Sequence, residues 1–215
     1  MYLHATLIPE VGHGPMLAES LTKLTAATES PDMRLVAALQ TMSGVPGEVV
    51  HLWKLTDANT LVSMLEGARE HPAHQDRVDR LGEHLSSERQ RLVVDAGYAP
   101  ELKLSTLGQD ARYFQARLTV GYGQADRIGE LVAGLRDVLE PKAGWRLAAA
   151  YRTVIGQHDE LIDIWEIPAD KPFEEALAQA AEVPEFVEVA AELPKYLVAE
   201  ETRLMRPAVY CPTVA

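Results

Sequence analysis

The sequence predicts an α+β protein built from two copies of one βαββαβ unit. The first observation is an internal duplication: residues 48–100 align without a gap with residues 160–212, at an offset of 112 positions (Glu48 against Glu160). The second is that both copies show the same order of strand-like alternation and helical periodicity. We therefore expect a first unit over residues 1–104 and a second over residues 111–215.

Identical residues recur along the whole alignment. They include Trp53 and Trp165, Leu65 and Leu177, Glu70 and Glu182, Pro72 and Pro184, Leu81 and Leu193, Leu85 and Leu197, Glu88 and Glu200, Arg91 and Arg203, Tyr98 and Tyr210, and Pro100 and Pro212. Upstream, the offset also pairs Arg34 with Arg146, Leu35 with Leu147, Thr41 with Thr153, and Gly44 with Gly156. One residue of slip then aligns YLHATL with YFQARL. Such self-similarity indicates duplication of a whole unit.

Each unit opens with an alternating strand, Tyr2 to Ile8 or Tyr113 to Val120. A helix follows. In the second unit its apolar stripe is Ile128, Leu131, Val132, Leu135, Val138 and Leu139, and in the first it is Leu17, Leu21 and Leu24. We expect Pro141 to end the helix of the second unit.

Two further strands come next in the first unit, Met33 to Met42 and Glu48 to Leu55, separated by the turn signal SGVPG. A long helical stretch with Pro72 in its middle follows, and a last strand begins near Arg91. This order is that of the ferredoxin-like unit, a sheet with helices on one face. The bare face must be covered, so we expect the two sheets to pack against each other as separate layers.

Several motifs resemble the NIPSNAP family. The first copy has EVVHLW, SSERQRLV and GYAP, and the second has LIDIWEI, VPEF, AEETRLM and VYCP. That family belongs to the dimeric α/β barrel superfamily. The resemblance therefore implies two ferredoxin-like units fused as a pseudo-dimeric α/β barrel, a fold that supports many chemistries.

The composition favours a small-molecule protein of the cytoplasm. The formal net charge is -12 and the pI is about 5.0, so we expect no nucleic-acid or membrane partner. Cys211 is the single cysteine, which fits a reducing compartment. No signal peptide is visible at the N-terminus, and no apolar run approaches the ~20 residues of a membrane helix. Pairing of two pseudo-dimers into a homodimer is left open.

Strand alternation brings a polar set to the space between the sheets. We expect this set to be His4, Thr6, His51 and Trp53 in the first unit, and Gln115, Arg117, Asp163 and Trp165 in the second. One interpretation is a substrate-binding cavity that uses His4, His51, Trp53, Arg117 and Asp163. The alternative is a hydrogen-bonded network that fixes the packing, with both tryptophans as core residues. In either case we expect Arg117 to pair with Asp163, because a buried charge needs a partner.

The stretch HPAH places His71 and His74 around Pro72. His74, Val78, Leu81 and Leu85 fall on one helical stripe, which directs His74 at the sheet. The motif resembles the stress-responsive barrel proteins, which include olivetolic acid cyclase. The resemblance makes His74 a general base and His71 part of the substrate site, but the assisting tyrosine there maps onto Ala68. A structural His74 remains the alternative. Two histidines alone are a weak metal signature, so no metal is expected.

Three functions follow from these observations. The first is a cofactor-free lyase, cyclase or isomerase, in which His74 acts on an apolar, polyketide-like substrate and the unit with Phe186 is scaffold. The second is a non-catalytic binding or scaffolding protein of NIPSNAP type. The third is a haem-binding protein or a cofactor-free monooxygenase. No Gly-rich phosphate loop, Ser-His-Asp set or Cys-His zinc pattern is evident, so no cofactor is expected.

Overall fold

The computed structural model of the chain describes residues 1–70, 72–99 and 110–212, without the side chains of residues 68–70, 72–74 and 77. The predicted junction between the units falls largely within residues 100–109 and so lies outside the described residues. The first unit contains β1 (Tyr2–Pro9), α1 (Gly14–Thr28), β2 (Met33–Thr41), β3 (Val49–Leu55), α2 (Ala58–Glu70), α3 (Pro72–Gly82) and β4 (Leu85–Asp95). The second contains β5 (Arg112–Val120), α4 (Ala125–Ala143), β6 (Arg146–Ile155), β7 (Glu160–Ile167), α5 (Phe173–Ala181), α6 (Pro184–Glu192), a 3-10 turn (Leu193–Lys195) and β8 (Leu197–Pro207).

The eight strands form one closed antiparallel barrel in the order β1-β3-β2-β8-β5-β7-β6-β4. Each unit contributes four neighbouring strands in the order fourth, first, third, second, which is the ferredoxin-like arrangement. The α+β class and the pseudo-dimeric α/β barrel are therefore confirmed. The expectation of two separate sheets is wrong, because β2 hydrogen-bonds to β8 and β4 to β6. Unpaired edge strands are unfavourable, and closing the barrel removes all four edges.

Prolines divide the second helical stretch of each unit. Pro72 and Pro184 begin α3 and α6, where the missing N–H is no loss. Pro141 does not end α4 as predicted. The helix continues to Ala143 and ends at Gly144, which takes the left-handed conformation at φ 72°. The buried side chains of Leu139 and Ala143 hold this last turn on the sheet.

Both faces of the barrel wall are buried over most of its strands, and the longest exposed runs are residues 86–90 of β4 and 198–202 of β8. Inside lies an apolar cluster drawn from both units, which includes Tyr2, Leu39, Val50, Leu52, Val93, Tyr113, Tyr151, Ile162, Ile164 and Met205. Outside, the helices cover the wall. Leu17 and Leu21 of α1 are buried there, as are Ile128, Leu131, Val132, Leu135 and Leu139 of α4, so most of the two predicted stripes is buried. Among the described residues, no helix combines the length and apolarity needed to cross a lipid bilayer.

Two reciprocal ion pairs join the units within the barrel wall. Arg91 of β4 donates from Nε to both oxygens of Glu160, at 2.6 and 3.1 Å, and the two side chains are 8% and 0% exposed. Arg203 of β8 donates from Nε to Glu48, which is 1% exposed. The two pairs are related by the offset of 112 residues. This is the contact pattern of a twofold interface, in which residue i meets j and j meets i.

We expect Glu160→Gln to lower the free energy of unfolding by about 3 kcal/mol. The change leaves Arg91 without its carboxylate and also removes the partner that Arg117 Nε approaches at 3.5 Å. Urea unfolding measures the loss. The control is Glu19→Gln, which removes an exposed pair with Lys23 and should change stability by less than about 0.5 kcal/mol. Equal effects of the two substitutions would contradict a structural role for the buried pair.

Candidate functional site

The strand register assigns His51 and Trp53 to the outer face of the barrel. In the pairing of β1 with β3, Trp53 lies opposite Leu3 and His51 opposite Ala5. Trp53 packs in the cluster that includes Leu61 and Met64 of α2. The expectation that His51 and Trp53 face the opposing sheet is therefore wrong. All five residues from Val49 to Trp53 are buried, so polarity alone does not distinguish the two faces of β3.

Arg117 and Asp163 lie on opposite faces of the wall, so their predicted ion pair is wrong. Arg117 is opposite Ile162 in the register and Asp163 is opposite Ala116. Arg117 is instead paired with Glu201 and lies 3.5 Å from Glu160. Asp163, like Trp165, faces the helices.

His4 lies on the inner face, as expected, with Gln115 as its neighbour from the other unit. Gln115 Nε2 is 3.2 Å from His4 Nε2, and both side chains are 1% exposed. Burial, with the positive charge of Arg91 beside it, lowers the pKa of His4 to about 3. His4 is therefore neutral at pH 7 and bonds the two units without adding a charge.

A cavity of about 190 Å³ lies between the sheet and the helices of the second unit. Its walls are largely apolar and aromatic. They comprise Phe114, Ala116, Leu118, Val132, Leu135, Leu139, Trp145, Trp165, Leu177, Phe186, Ala190, Leu193 and Pro194, together with Asp163 and Glu200. Phe186 thus lines an open space, and whether its unit serves only as scaffold, as expected from the sequence, stays untested.

Asp163 is the buried polar group of this cavity. It lies in the middle of β7, is 2% exposed, and accepts a hydrogen bond at Oδ1 from the Tyr98 hydroxyl at 2.7 Å. Burial raises the pKa of Asp163 to about 7, although the hydrogen bond from Tyr98 opposes the rise. A carboxyl group with this pKa exchanges protons readily at neutral pH.

Tyr98 reaches this site from the first unit. It follows β4 after a turn at Gly97, whose φ is 84°. Arg136 of α4 donates to the Tyr98 carbonyl at 2.7 Å. Gly129 of α4 makes room for the ring, because a Cβ there would be 2.9 Å from Tyr98 Cδ1. The site of the second unit is therefore completed by the first.

The first unit holds the equivalent pair with different chemistry. The Tyr210 hydroxyl lies 2.8 Å from His51 Nε2. At the offset of 112, Tyr210 matches Tyr98 and His51 matches Asp163. Burial lowers the pKa of His51 to about 3, so this pair is uncharged at pH 7. The sequence interpretation missed both tyrosines as site residues. The signal was present, since both belong to the repeated motifs GYAP and VYCP.

The HPAH hypothesis is not decided by the structure. His71 lies outside the described residues, and His74 lies in α3 with its side chain outside them. The stripe that includes His74 is only partly buried: Leu81 is 6% exposed and Val78 is 39% exposed. Within residues 1–70, 72–99 and 110–212, no three His, Cys, Asp or Glu side chains form a cluster that could hold a metal ion.

Comparison with known proteins shows the fold. No protein-family model and no curated protein matches the sequence. An anthrone oxidase-like protein is similar in structure at a TM-score of 0.71 and 10% identity, covering 99% of this chain and 92% of its own. A proposed monooxygenase from Lactobacillus acidophilus has a TM-score of 0.61 and 9% identity, covering 100% and 98%. A NIPSNAP domain protein from Burkholderia xenovorans is 20% identical and covers 47% of this chain and 100% of its own, at a TM-score of 0.42.

We expect Asp163→Asn to stabilise the protein at high pH. The pKa of Asp163 is raised from 3.8 to about 7, so between these values the folded protein holds a proton that the unfolded chain releases. Stability therefore falls as the pH rises through this window and stays low above it. The substitution should raise the free energy of unfolding by about 4 kcal/mol at pH 8 and change it little at pH 4. The exposed Asp170→Asn is the control. A loss of stability at pH 8 would show that Asp163 does not carry this penalty.

We expect Gly129→Ala to destabilise the protein through Tyr98. The added Cβ would lie 2.9 and 3.3 Å from two ring carbons, so the ring must move away from Asp163. Such overpacking costs about 1–3 kcal/mol. Gly134→Ala is the matched control on α4, where the added Cβ meets nothing within 4 Å and should stabilise the helix by up to about 1 kcal/mol. In a Tyr98→Ala background the Gly129→Ala penalty should disappear; a penalty that persists would assign it to another contact.

Proposed function

We propose that this protein is a cofactor-free enzyme that removes a proton from an uncharged, apolar small molecule bound in the cavity of the second unit. The observation that carries the proposal is a buried carboxyl group, Asp163, with a pKa of about 7 in a cavity whose walls are largely apolar and aromatic. A perturbed pKa at a buried group in a cavity is a mark of acid–base chemistry.

Asp163 is the base in this proposal. At pH 7 a group with a pKa of about 7 is about half ionised, so it can both accept and return a proton. Tyr98 is a positioning residue: its hydroxyl holds Oδ1 and stabilises the carboxylate against the penalty of burial. Among the described residues, no donor contacts Oδ2, which leaves that oxygen for the substrate.

The apolar walls favour the reaction in two ways. They exclude water, so the Asp163 carboxylate is poorly hydrated and more basic than in solvent, and proton transfer moves its negative charge to the substrate without adding a second charge. The flat faces of Phe114, Trp165 and Phe186 suit an aromatic substrate. Trp145 is a wall rather than a donor to substrate, because its Nε1 donates to the Ala176 carbonyl at 3.3 Å.

The proposed reaction belongs to the class predicted from the sequence, but its base is Asp163 and not His74. The sequence hypothesis used His74 of the first unit, whose side chain lies outside the described residues. Asp163 serves the same purpose in the second unit. Reprotonation at another carbon of the enolate gives an isomerase, attack on a second carbonyl gives a cyclase, and loss of a leaving group gives a lyase.

A cofactor-free monooxygenase is the second candidate. It is favoured by the fold neighbours that are called a proposed monooxygenase and anthrone oxidase-like. The same proton removal would begin the reaction, and the carbanion would then react with O₂. Overall, an activated CH₂ group and O₂ give a carbonyl group and water. The haem alternative gains no support from this cavity, since its described lining contains no His, Cys, Met or Tyr.

Hydrogen–deuterium exchange of an enolisable aromatic ketone, such as 2-tetralone, tests the proposal. The protein in D₂O should accelerate exchange of the protons next to the carbonyl, as followed by NMR without O₂. The rate should rise with pH and level off above an apparent pKa near 7, because Asp163 must be ionised. Addition of O₂ separates the candidates: a monooxygenase consumes O₂ and forms a diketone, whereas an isomerase does not.

Variants assign the effect to Asp163. Asp163→Asn should reduce the exchange rate at least a hundredfold, the usual size of a general-base contribution. The exposed Asp170→Asn should leave the rate unchanged. Tyr98→Phe should shift the pH profile to higher pH, because the carboxylate loses its hydrogen bond. Full activity of Asp163→Asn would refute the proposal, and bound ketone without any exchange would favour a binding protein.

A further inference from the structure

The size of the cavity limits its ligand. Its volume of about 190 Å³ is somewhat larger than that of an engineered apolar cavity, roughly 150 Å³, that binds benzene. Ala116 and Asp163 form part of its floor in the sheet, and Leu135 and Leu139 of α4 close one side. These four side chains are buried in paired strands and a long helix. One aromatic ring therefore fits with room for a second, and a third ring needs the outer wall to move.

The charge of the cavity limits its ligand further. The two charged side chains of the described lining are Asp163 and Glu200, and that lining contains no Lys, Arg or His. A carboxylate in this space would lack a compensating cation and would lie near an acidic group. Burying an unpaired charge is strongly unfavourable. A polyketide-like substrate that carries a carboxylate is therefore a poor ligand.

Asp163 sets the one polar requirement. Its Oδ1 is occupied by Tyr98, so a ligand can meet the carboxylate through one donor at Oδ2. A hydroxyl group or an acidic C–H next to a carbonyl fits this position. The remaining ligand surface meets aromatic and aliphatic walls.

We propose that the cavity selects uncharged aromatic molecules of one or two rings that carry one hydroxyl group or enolisable carbonyl, and that it rejects carboxylates and three-ring compounds. This inference rests on the proposed function for the choice of site and names its substrate class. Asp163 determines the charge selection. Leu177, 42% exposed on α5 at the outer wall, determines the size selection.

Titration calorimetry at pH 7 with three matched ligands tests the proposal. 2-Naphthol is the two-ring uncharged donor, 2-naphthoate is its carboxylate counterpart, and 2-hydroxyanthracene is its three-ring counterpart. 2-Naphthol should bind at least tenfold more tightly than either of the others. Equal affinity for 2-naphthoate overturns the charge selection, equal affinity for 2-hydroxyanthracene overturns the size limit, and failure of all three to bind overturns both.

Two variants assign the selection to residues. Asp163→Asn should reduce the preference for 2-naphthol over 2-naphthoate severalfold, because the negative charge is gone. Leu177→Ala should improve binding of 2-hydroxyanthracene relative to 2-naphthol severalfold. Leu65→Ala is the matched control: Leu65 is the repeat equivalent of Leu177 and is 43% exposed on α2 of the other unit. A Leu65→Ala effect as large as that of Leu177→Ala would contradict the assignment.

The ligand class and the proposed function can be refuted independently of each other. Selective binding of 2-naphthol with no exchange of the 2-tetralone protons supports the ligand class and refutes the proposed function. Exchange that depends on Asp163 but comes with no discrimination between 2-naphthol and 2-naphthoate supports the function and refutes the ligand class.

Discussion

The closed barrel depends on two buried carboxylates that meet arginines of the other unit. Glu160 forms an ion pair with Arg91, and Glu48 forms one with Arg203. The four side chains are between 0% and 13% exposed. Charges this deeply buried are tolerated only with partners. Each carboxylate begins or precedes a central strand, and each arginine lies on the strand that its unit uses for closure. The pairs therefore set the register in which the two halves can join.

The fold was largely predictable because duplication leaves a strong pattern. The repeat shows that Arg91 is equivalent to Arg203 and Tyr98 to Tyr210. It does not show that these residues contact the other unit, because an alignment identifies equivalent positions and not contacts. The faces of β3 and β7 were less predictable. In VVHLW and LIDIW apolar residues alternate with polar or aromatic ones, and both sets are buried. Helices cover the outer face of these two strands and the other half of the barrel covers the inner face, so neither face meets solvent. The alternation of polar and apolar residues therefore does not predict which face is which.

The two tyrosine pairs, Tyr210 with His51 and Tyr98 with Asp163, show that burial shifts the pKa of a base and of an acid in opposite directions. Burial opposes charge, so it lowers the pKa of His51 to about 3 and raises that of Asp163 to about 7. At neutral pH the His51 ring is neutral, while the Asp163 carboxyl group is in the middle of its titration. The same position in the same fold is thus uncharged in one unit and about half ionised in the other.

Fusion of the units has a genetic consequence for these sites. In a twofold homodimer, one codon specifies both copies of a position, so a substitution in one copy is also made in the other. Here His51 and Asp163 are separate codons, and so are Tyr98 and Tyr210. Each tyrosine pair can therefore change without a change in the other pair or in the ion pairs that join the units. The single polypeptide has become asymmetric in chemistry while it stays symmetric in architecture.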